Sequence, residues 1–374
     1  MESAVTDFSF KLYRVLCEGG GNLFMSPYSV SAALMLTMLG AKGESEEQIK
    51  QVLGVAGVPN PHQAYQKLHA TLIGKSKDGA KLAIANRIFS KLGLEIKESY
   101  KKESLDYYNS EIELLDFVGN PEGSRTRINT WVEDQTNNKI KDLIPEGGIN
   151  SLSLIVLTNA IYFKGDWENA FKASNTKSEP FRISGTESGT VEMMNMKKEK
   201  WLIGMSKSLD CQVLDLPYKG GELSMLIILP NKVDGLSSLE SSLSADTFRE
   251  LTKEMYSEDV IVSIPKFKLE SSFQLDKVLG GMGITDIFSR KADFGAMMKN
   301  PPDGTHVSDV IHKAFVEVNE EGTEAAAATA VMMRFMCMPL EPMVFKADHP
   351  FLFLIRDNST GTVLFIGRFL KPNN

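Results

Sequence analysis

Cysteine is scarce. Three in 374 residues, Cys17, Cys211 and Cys337, are odd in number and far apart. That excludes a disulfide-stapled fold and fits a reducing compartment. Long apolar runs are missing too. No window of 18 residues is free of charge and apolar throughout, so no membrane-spanning helix is expected. Positive charge does not dominate: 41 Lys and Arg face 48 Asp and Glu, a net charge of −7. A general nucleic-acid surface needs a basic face, so neither nucleic acid nor membrane is expected as a partner. The cations Lys67, Lys75, Lys77 and Lys81 leave a local polyanion site open, but they read first as a solvated face.

Catalytic signatures are also absent. There is no HExxH, GxSxG or CxxC. In "HATLIGKS" His69 stands where a phosphate loop needs its first glycine, and "GGMGIT" lacks the third glycine of a dinucleotide loop. The five histidines, His62, His69, His306, His312 and His349, show no metal-ligand spacing. Cys337 lies between Met336 and Met338, with no activating neighbour. No metal, no cofactor and no enzymatic activity are expected.

What is present is ordinary globular material, 43% hydrophobic and 24% charged, enough for a large core. Glu2, Asp7, Lys11 and Arg14 break up the N-terminal stretch, which therefore does not read as a signal peptide. Val5, Phe8, Leu12 and Val15 recur there at helical spacing. The expected location is the cytoplasm, with the nucleus and leaderless release left open. The sequon Asn358-Ser359-Thr360 is then expected to be unused.

Ser26-Pro27 starts a helix running to Gly40 or Gly43. Ser45 is expected to cap a second over Glu46–Leu53, and "SRTRINTWVEDQTNNKIKDLI" reads as a long helix with Ile128, Trp131 and Val132 inward. After residue 150 strands take over. "SLSLIVLTNAIYFKGDW" is a buried strand. Hairpins turn at Gly220-Gly221 and at Asn358 to Gly361, and two strand pieces flank Pro265. The fold class is α+β, in one continuous domain over residues 1–374.

The stretch "EEGTEAAAATAVMMRFMCMPLEP", residues 320–342, is the informative one. Read with period two, one face carries Thr323, Ala325, Ala327, Thr329, Val331, Met333 and Phe335, all small or apolar. The other carries Glu324 and Arg334 among Ala326, Ala328 and Ala330. That suits a central strand with one tightly packed face. Yet "VIHKAFVEVNEE" just before it is already a strand, and Pro339 and Pro342 forbid a ladder beyond it. Two readings remain: an alanine-rich surface loop, or a loop anchored at both ends that joins the sheet once one anchor is cut.

The motifs "NLFMSPYSVSAALMLTMLGAKG", "INTWVEDQTNNKIKDLI", "LTNAIYFKGDWENAF", "LDLPYKGGELSMLIILP", "IPKFKLE", "VIHKAFVEVNEEGTEAAAATA" and "ADHPFLFLIRDNSTGTVLFIGRF", in that order, resemble the serpin family over the whole chain. The leaderless start resembles its ovalbumin-like intracellular branch. This resemblance implies helices packed on three β-sheets, with an exposed reactive-centre loop at about 320–342. It implies a monomeric suicide inhibitor of serine proteases: a target protease attacks the loop, forms an acyl-enzyme, and is trapped as the loop inserts into the main sheet. Loop insertion is a known switching device. By motif match Glu320, Gly322, Thr323, Ala325, Ala326, Ala327, Ala328 and Thr329 are the hinge. Ser26, Ser29, Asn159 and His312 are a polar cluster under the opening strands, Trp167 marks the insertion point, and Lys266 pairs with Glu320. The reactive bond is Met336–Cys337, suiting chymotrypsin-like or elastase-like pockets, and a shifted register would use Phe335 or Arg334. Cys337 beside the cut suggests redox sensitivity. Papain-like proteases stay open as targets. The competing expectation is a non-inhibitory member acting in storage, chaperoning or binding.

Overall fold

The computed structural model describes residues 1–75, 80–323 and 343–372. Its helices are α1 (Glu2–Cys17), α2 (Pro27–Gly40), α3 (Gly43–Leu53), α4 (Pro61–Lys75), α5 (Glu98–Tyr108), α6 (Pro121–Gln135), α7 (Leu236–Ser242), α8 (Ala245–Lys253) and α9 (Asp276–Met282). The strands are β1 (Leu23–Met25), β2 (Ala80–Lys91), β3 (Ile112–Leu115), β4 (Ile155–Asp166), β5 (Lys177–Arg182), β6 (Ser188–Ser206), β7 (Cys211–Pro217), β8 (Leu223–Pro230), β9 (Tyr256–Pro265), β10 (Phe267–Gln274), β11 (Val307–Val318), β12 (Gly322–Thr323), β13 (Met343–Lys346), β14 (Phe351–Asp357) and β15 (Val363–Phe369).

Among the described residues these strands form two hydrogen-bonded sheets. The six-stranded one runs β10-β11-β4-β2-β3, with β12 beside β4. The nine-stranded one runs β1-β15-β14-β8-β7-β6-β9-β13, with β5 beside β6. Two of the three expected sheets are thus fused. The 19-residue β6 pairs with β5 through its first half and with β7 through its second, and its register against β9 slips between Lys198 and Trp201.

Helix α2 sits at the centre. Its sequence is apolar all round, and every residue but Leu39 is buried, as a core helix requires. Ser26 caps it by accepting a hydrogen bond from the Ser29 backbone N–H at 3.1 Å. Strand β4 reads as an unbroken apolar run because both its faces are covered. Ile155, Leu157, Ile161 and Phe163 join the main core. Val156, Ala160 and Tyr162 join a second core under α6, made with Ile128, Val132, Ile140, Leu143, Ile144, Ile311 and Phe315. The two sheets meet in an aromatic stack, Phe24 on Phe365 at 5.2 Å and Phe365 on Phe163 at 5.7 Å.

Four local expectations need correction. Helix α3 starts at Gly43, so Ser45 does not cap it. The Ser45 hydroxyl instead accepts the Asp293 N–H at 3.0 Å. The long helix expected to reach residue 144 stops at Gln135, because Asn137 and Asn138 take positive φ; Ile140, Leu143 and Ile144 still pack inward from an irregular segment. Val15 is 37% exposed although Val5, Phe8 and Leu12 are buried. Trp131 is half-buried, and the Arg87 guanidinium lies 4.5 Å from the centre of its ring.

Removing the shared aromatic hinge tests this packing. Phe365→Ala is expected to cost about 3–5 kcal/mol, read as a lower thermal midpoint and faster unfolding than wild type. An unchanged midpoint would mean that the stack does not join the two sheets.

Candidate functional site

Two strands carry the site. β4 and β11 run parallel, paired from Ile155–Val307 to Tyr162–Phe315. Beyond that point they part. β11 continues against β10, down to Val318 opposite Phe267, while β4 continues against β2, up to Gly165 opposite Ala80. Into the gap the chain folds back on itself. Asn319 and Gly322 exchange backbone hydrogen bonds at 2.9 and 3.3 Å. Gly322 and Thr323 then pair antiparallel with Asp166 and Gly165. These two residues are β12, which lies beside β4 at the mouth of the gap.

Gly322 is dictated by that close approach. Its φ is +142°, and a Cβ there would lie 2.1 Å from the Gly165 carbonyl oxygen and 2.6 Å from Asp166 Cα, a contact no side chain survives. Around it the turn is pinned at several points. Trp167 is buried and stacks on Tyr218 at 4.7 Å. Its indole N–H donates to the Asn319 carbonyl at 3.0 Å and its backbone N–H to the Glu321 carbonyl at 2.8 Å. The Glu320 carboxylate accepts from Lys266 at 2.9 Å and from Thr176 at 2.7 Å. Burial pushes that carboxyl pKa up, but these hydrogen bonds outweigh it and the net shift is downward. Glu320 is therefore a charged clasp at neutral pH.

Lower on the seam, one register row crosses the sheet. Asn86 of β2 lies opposite Asn159 of β4, Asn159 opposite His312 of β11, and His312 opposite Phe273 of β10. His312 Nε2 accepts the Ser26 backbone N–H at 3.1 Å. Its proton therefore sits on Nδ1, which donates to Asn159 Oδ1. The Asn159 amide donates to the Ser29 carbonyl at 2.8 Å, to the Ser29 hydroxyl at 2.6 Å, and to Asn86 Oδ1. The Ser26 hydroxyl donates to the Leu364 carbonyl at 2.7 Å. Ser26, Ser29, Asn159 and His312 are buried and Asn86 is half-buried, so the row ties the seam to the first turn of α2 at a place where unpaired polar groups would be costly. Desolvation drives the His312 pKa down to about 3, against a raising effect from the bond to Asn159. The ring is neutral.

The structure thus brings Ser26, Ser29, Asn159 and His312 into one cluster, and Trp167, Lys266, Glu320 and Gly322 into another. Ala325, Ala326, Ala327, Ala328, Thr329, Arg334, Phe335, Met336 and Cys337 lie outside the described residues. Asn86, Thr176 and Tyr218 belong to the site and were not anticipated. Asn86 left a trace, the lone polar residue in the alternation Leu82, Ile84, Asn86, Ile88. Tyr218, next to a glycine turn, left none. The side chains of Lys67 and Lys81 are exposed, as a solvated face requires.

A family model described as serpin (serine protease inhibitor) matches residues 3–372. The leukocyte elastase inhibitor of Xenopus tropicalis is 42% identical over 379 residues, covering 100% of this chain and 99% of that protein. Serpin B4 of Homo sapiens is 40% identical over 391 residues, with the same coverage. Among solved structures, uncleaved ovalbumin superposes with a TM-score of 0.90 at 31% identity, over 99% of both chains.

Two tests follow. His312 falls from the usual 6.5 to about 3 on folding, so its contribution is fully present above pH 6.5. It is lost as pH drops toward 3, at about 1.4 kcal/mol per unit. His62, lowered to about 4 by burial, and His69, lowered likewise, act in the same sense. Denaturant midpoints at pH 7, 5.5 and 4.5 should fall steadily for wild type and less steeply for His312→Gln. Equal slopes would contradict a neutral, buried His312. Gly322→Ala should cost about 1–3 kcal/mol and redden tryptophan emission as the turn leaves Trp167; an unaltered spectrum and midpoint would refute the close approach.

Proposed function

The chain belongs to the serpin family, and we propose that it inhibits serine proteases of the elastase and chymotrypsin type as a suicide substrate, cleaved at Met336–Cys337. The observation that carries this reading is the antiparallel start of a strand at Gly322–Thr323, already wedged beside β4. If the loop inserted in that register, Ala325, Ala327 and Thr329 would lie opposite Phe163, Ile161 and Asn159, and Met333 opposite Ile155. Directly opposed residues share a face. The small, apolar face of an inserted loop would therefore meet the main-core face of β4, and Thr329 would reach the polar row. Glu324 and Arg334 fall on the α6 side. The elastase-inhibitor names of the relatives and the unbranched apolar Met336 point to the same target class.

In the reaction, the protease serine oxygen attacks the Met336 carbonyl carbon. The C–N bond to Cys337 breaks, its nitrogen takes the proton, and Met336 becomes an ester on the serine. The freed loop then has a lower-energy place to go. Insertion replaces one parallel ladder, eight paired positions between β4 and β11, by two antiparallel ones. Parallel pairing is slightly weaker per residue, and each added ladder bond contributes roughly 0.5–1.5 kcal/mol net. Together with apolar burial, the driving force is on the order of 10 kcal/mol or more. The uncut form is a kinetic trap, held by the polar row at mid-seam and the Trp167–Glu320 clasp at its mouth. The protein acts as a substrate that is not released, and catalysis belongs to its partner. Among the described residues no helix is long and apolar enough to cross a membrane.

Mixing the protein with elastase, chymotrypsin, trypsin and papain should give an adduct that survives boiling in detergent with one of the first two, releasing a peptide that begins at Cys337. Nicking the loop should raise the thermal midpoint sharply. Ala327→Glu would bury a carboxylate opposite Ile161, which is fully buried. It should turn the protein into an ordinary substrate, cut without adduct. No adduct with any protease, and no thermal gain on nicking, would sink the reading.

A further inference from the structure

The polar row at mid-seam has an open end. Asn86 Oδ1 accepts from Asn159 and from Ser29, and the Asn86 carbonyl accepts from Ser110. The N–H groups of its side-chain amide have no partner among the described residues. Asn86 lines a cleft of about 220 Å³ between α4 and β2, backed by Leu36 of α2. Leu82, Ile84 and Asn86 share a face of β2 with Ile88. Ile88 is fully buried, yet the other three are only half-buried. The inner face of the sheet is thus short of cover at one place. Ile73 of α4, 40% exposed, stands at the same cleft. Tyr65, His69 and Tyr108 supply aromatic lining, with the Tyr65 ring 6.3 Å from His69 and 5.7 Å from Tyr108.

His69 offers a second unspent donor. Burial lowers its pKa, so the ring is neutral and carries one proton. The Tyr28 hydroxyl lies 2.7 Å from Nδ1 and has no other acceptor among the described residues. It donates to Nδ1, which leaves the ring proton on Nε2. Nε2 has no partner among the described residues. Neither this nitrogen nor the Asn86 amide is sealed off from water, so both can be reached.

These features define one kind of occupant. A cavity of about 150 Å³ accommodates benzene, so this cleft has room for one ring and a short substituent. Aromatic walls favour a ring, through offset or edge-to-face contact. Two N–H donors call for an acceptor oxygen on the substituent, since covering them with an apolar group leaves them unpaired at a cost. We propose that the α4–β2 cleft is a binding site for a small aromatic carbonyl compound of the benzamide type, and that the bound ligand tightens the β4–β11 seam through Asn86. The coupling is direct. Asn86 lies opposite Asn159 and accepts from it, and Asn159 holds His312 across the seam. A ligand that needs the closed row protects it by mass action, about tenfold at ten times its Kd. Neither half of the proposal depends on loop insertion.

The test titrates benzamide into the full-length protein, followed by saturation-transfer NMR on the ligand. Saturable binding with a Kd of about 1 mM is expected for so small a ligand. Ile73→Trp fills the cleft from an exposed helix position, so the thermal midpoint should hold while binding is lost. His69→Phe keeps a ring but removes the N–H donor, and should weaken binding about five- to tenfold. Leu202→Trp, at an exposed position of β6, should bind as wild type does. Hydrogen exchange reads the coupling. With about 10 mM benzamide, ten times that Kd, amides of residues 157–162 and 310–315 along the seam should exchange about tenfold more slowly, and those of β14 and β15 much less so. Absence of saturable binding, or binding that survives both Ile73→Trp and His69→Phe, would overturn the site. Equal slowing in β4, β11, β14 and β15 would overturn the coupling to the seam.

Discussion

Everything distinctive in this molecule depends on one parallel strand pair that could be better paired than it is. β4 and β11 hold each other along eight positions, and in the proposed mechanism each would instead pair with a strand running the other way between them. The first two residues of that strand, Gly322 and Thr323, are already in place against β4. On that proposal, a β-sheet satisfied by a weaker pairing, with its better partner tethered at one corner, would store free energy in its topology rather than in any strained bond. The supporting structure has to delay the exchange without making it impossible.

Two devices do so, and they differ chemically. At mid-seam a buried row of amides, hydroxyls and one neutral imidazole joins three strands of the sheet to the first turn of α2. Its bonds are strong because water is excluded, and every member must find a new partner if the seam opens. At the mouth the clasp is partly solvated. Trp167 holds two carbonyls of the turn, while Lys266, 39% exposed, holds Glu320. Exposed ion pairs contribute little to stability, so the indole and the tight fit of Gly322 are the firmer part. Above the seam, the second core under α6 spans β4 and β11 through Tyr162 and Phe315. It adds an apolar closure that the same separation must disturb.

Much of this was legible in the residues. The strand formed by β4 followed from its apolar, β-branched run, because a strand covered on both faces needs apolar side chains pointing both ways. Glycine at position 322 signalled an unusual backbone, and His312 inside an apolar strand signalled a satisfied structural residue. Where expectation failed, a tertiary contact had outweighed a local preference. Ser45 has the chemistry of a cap but spends its hydroxyl on Asp293. The segment from Thr136 to Ile144 has helical periodicity, but it leaves the helix at Asn137 to pack across the seam.

By itself, the amino-acid sequence determined the α+β class, the positions of most strands and hairpins, and the unusual backbone at Gly322, since these are properties of short segments. Only the tertiary structure decided that β4 and β11 diverge at Tyr162 and Phe315, that Asn86 completes the polar row, and that Tyr218 backs Trp167. The reason is that each of these joins residues tens to hundreds of positions apart. Register between distant strands is set by the packing of whole sheets, and no local pattern encodes it.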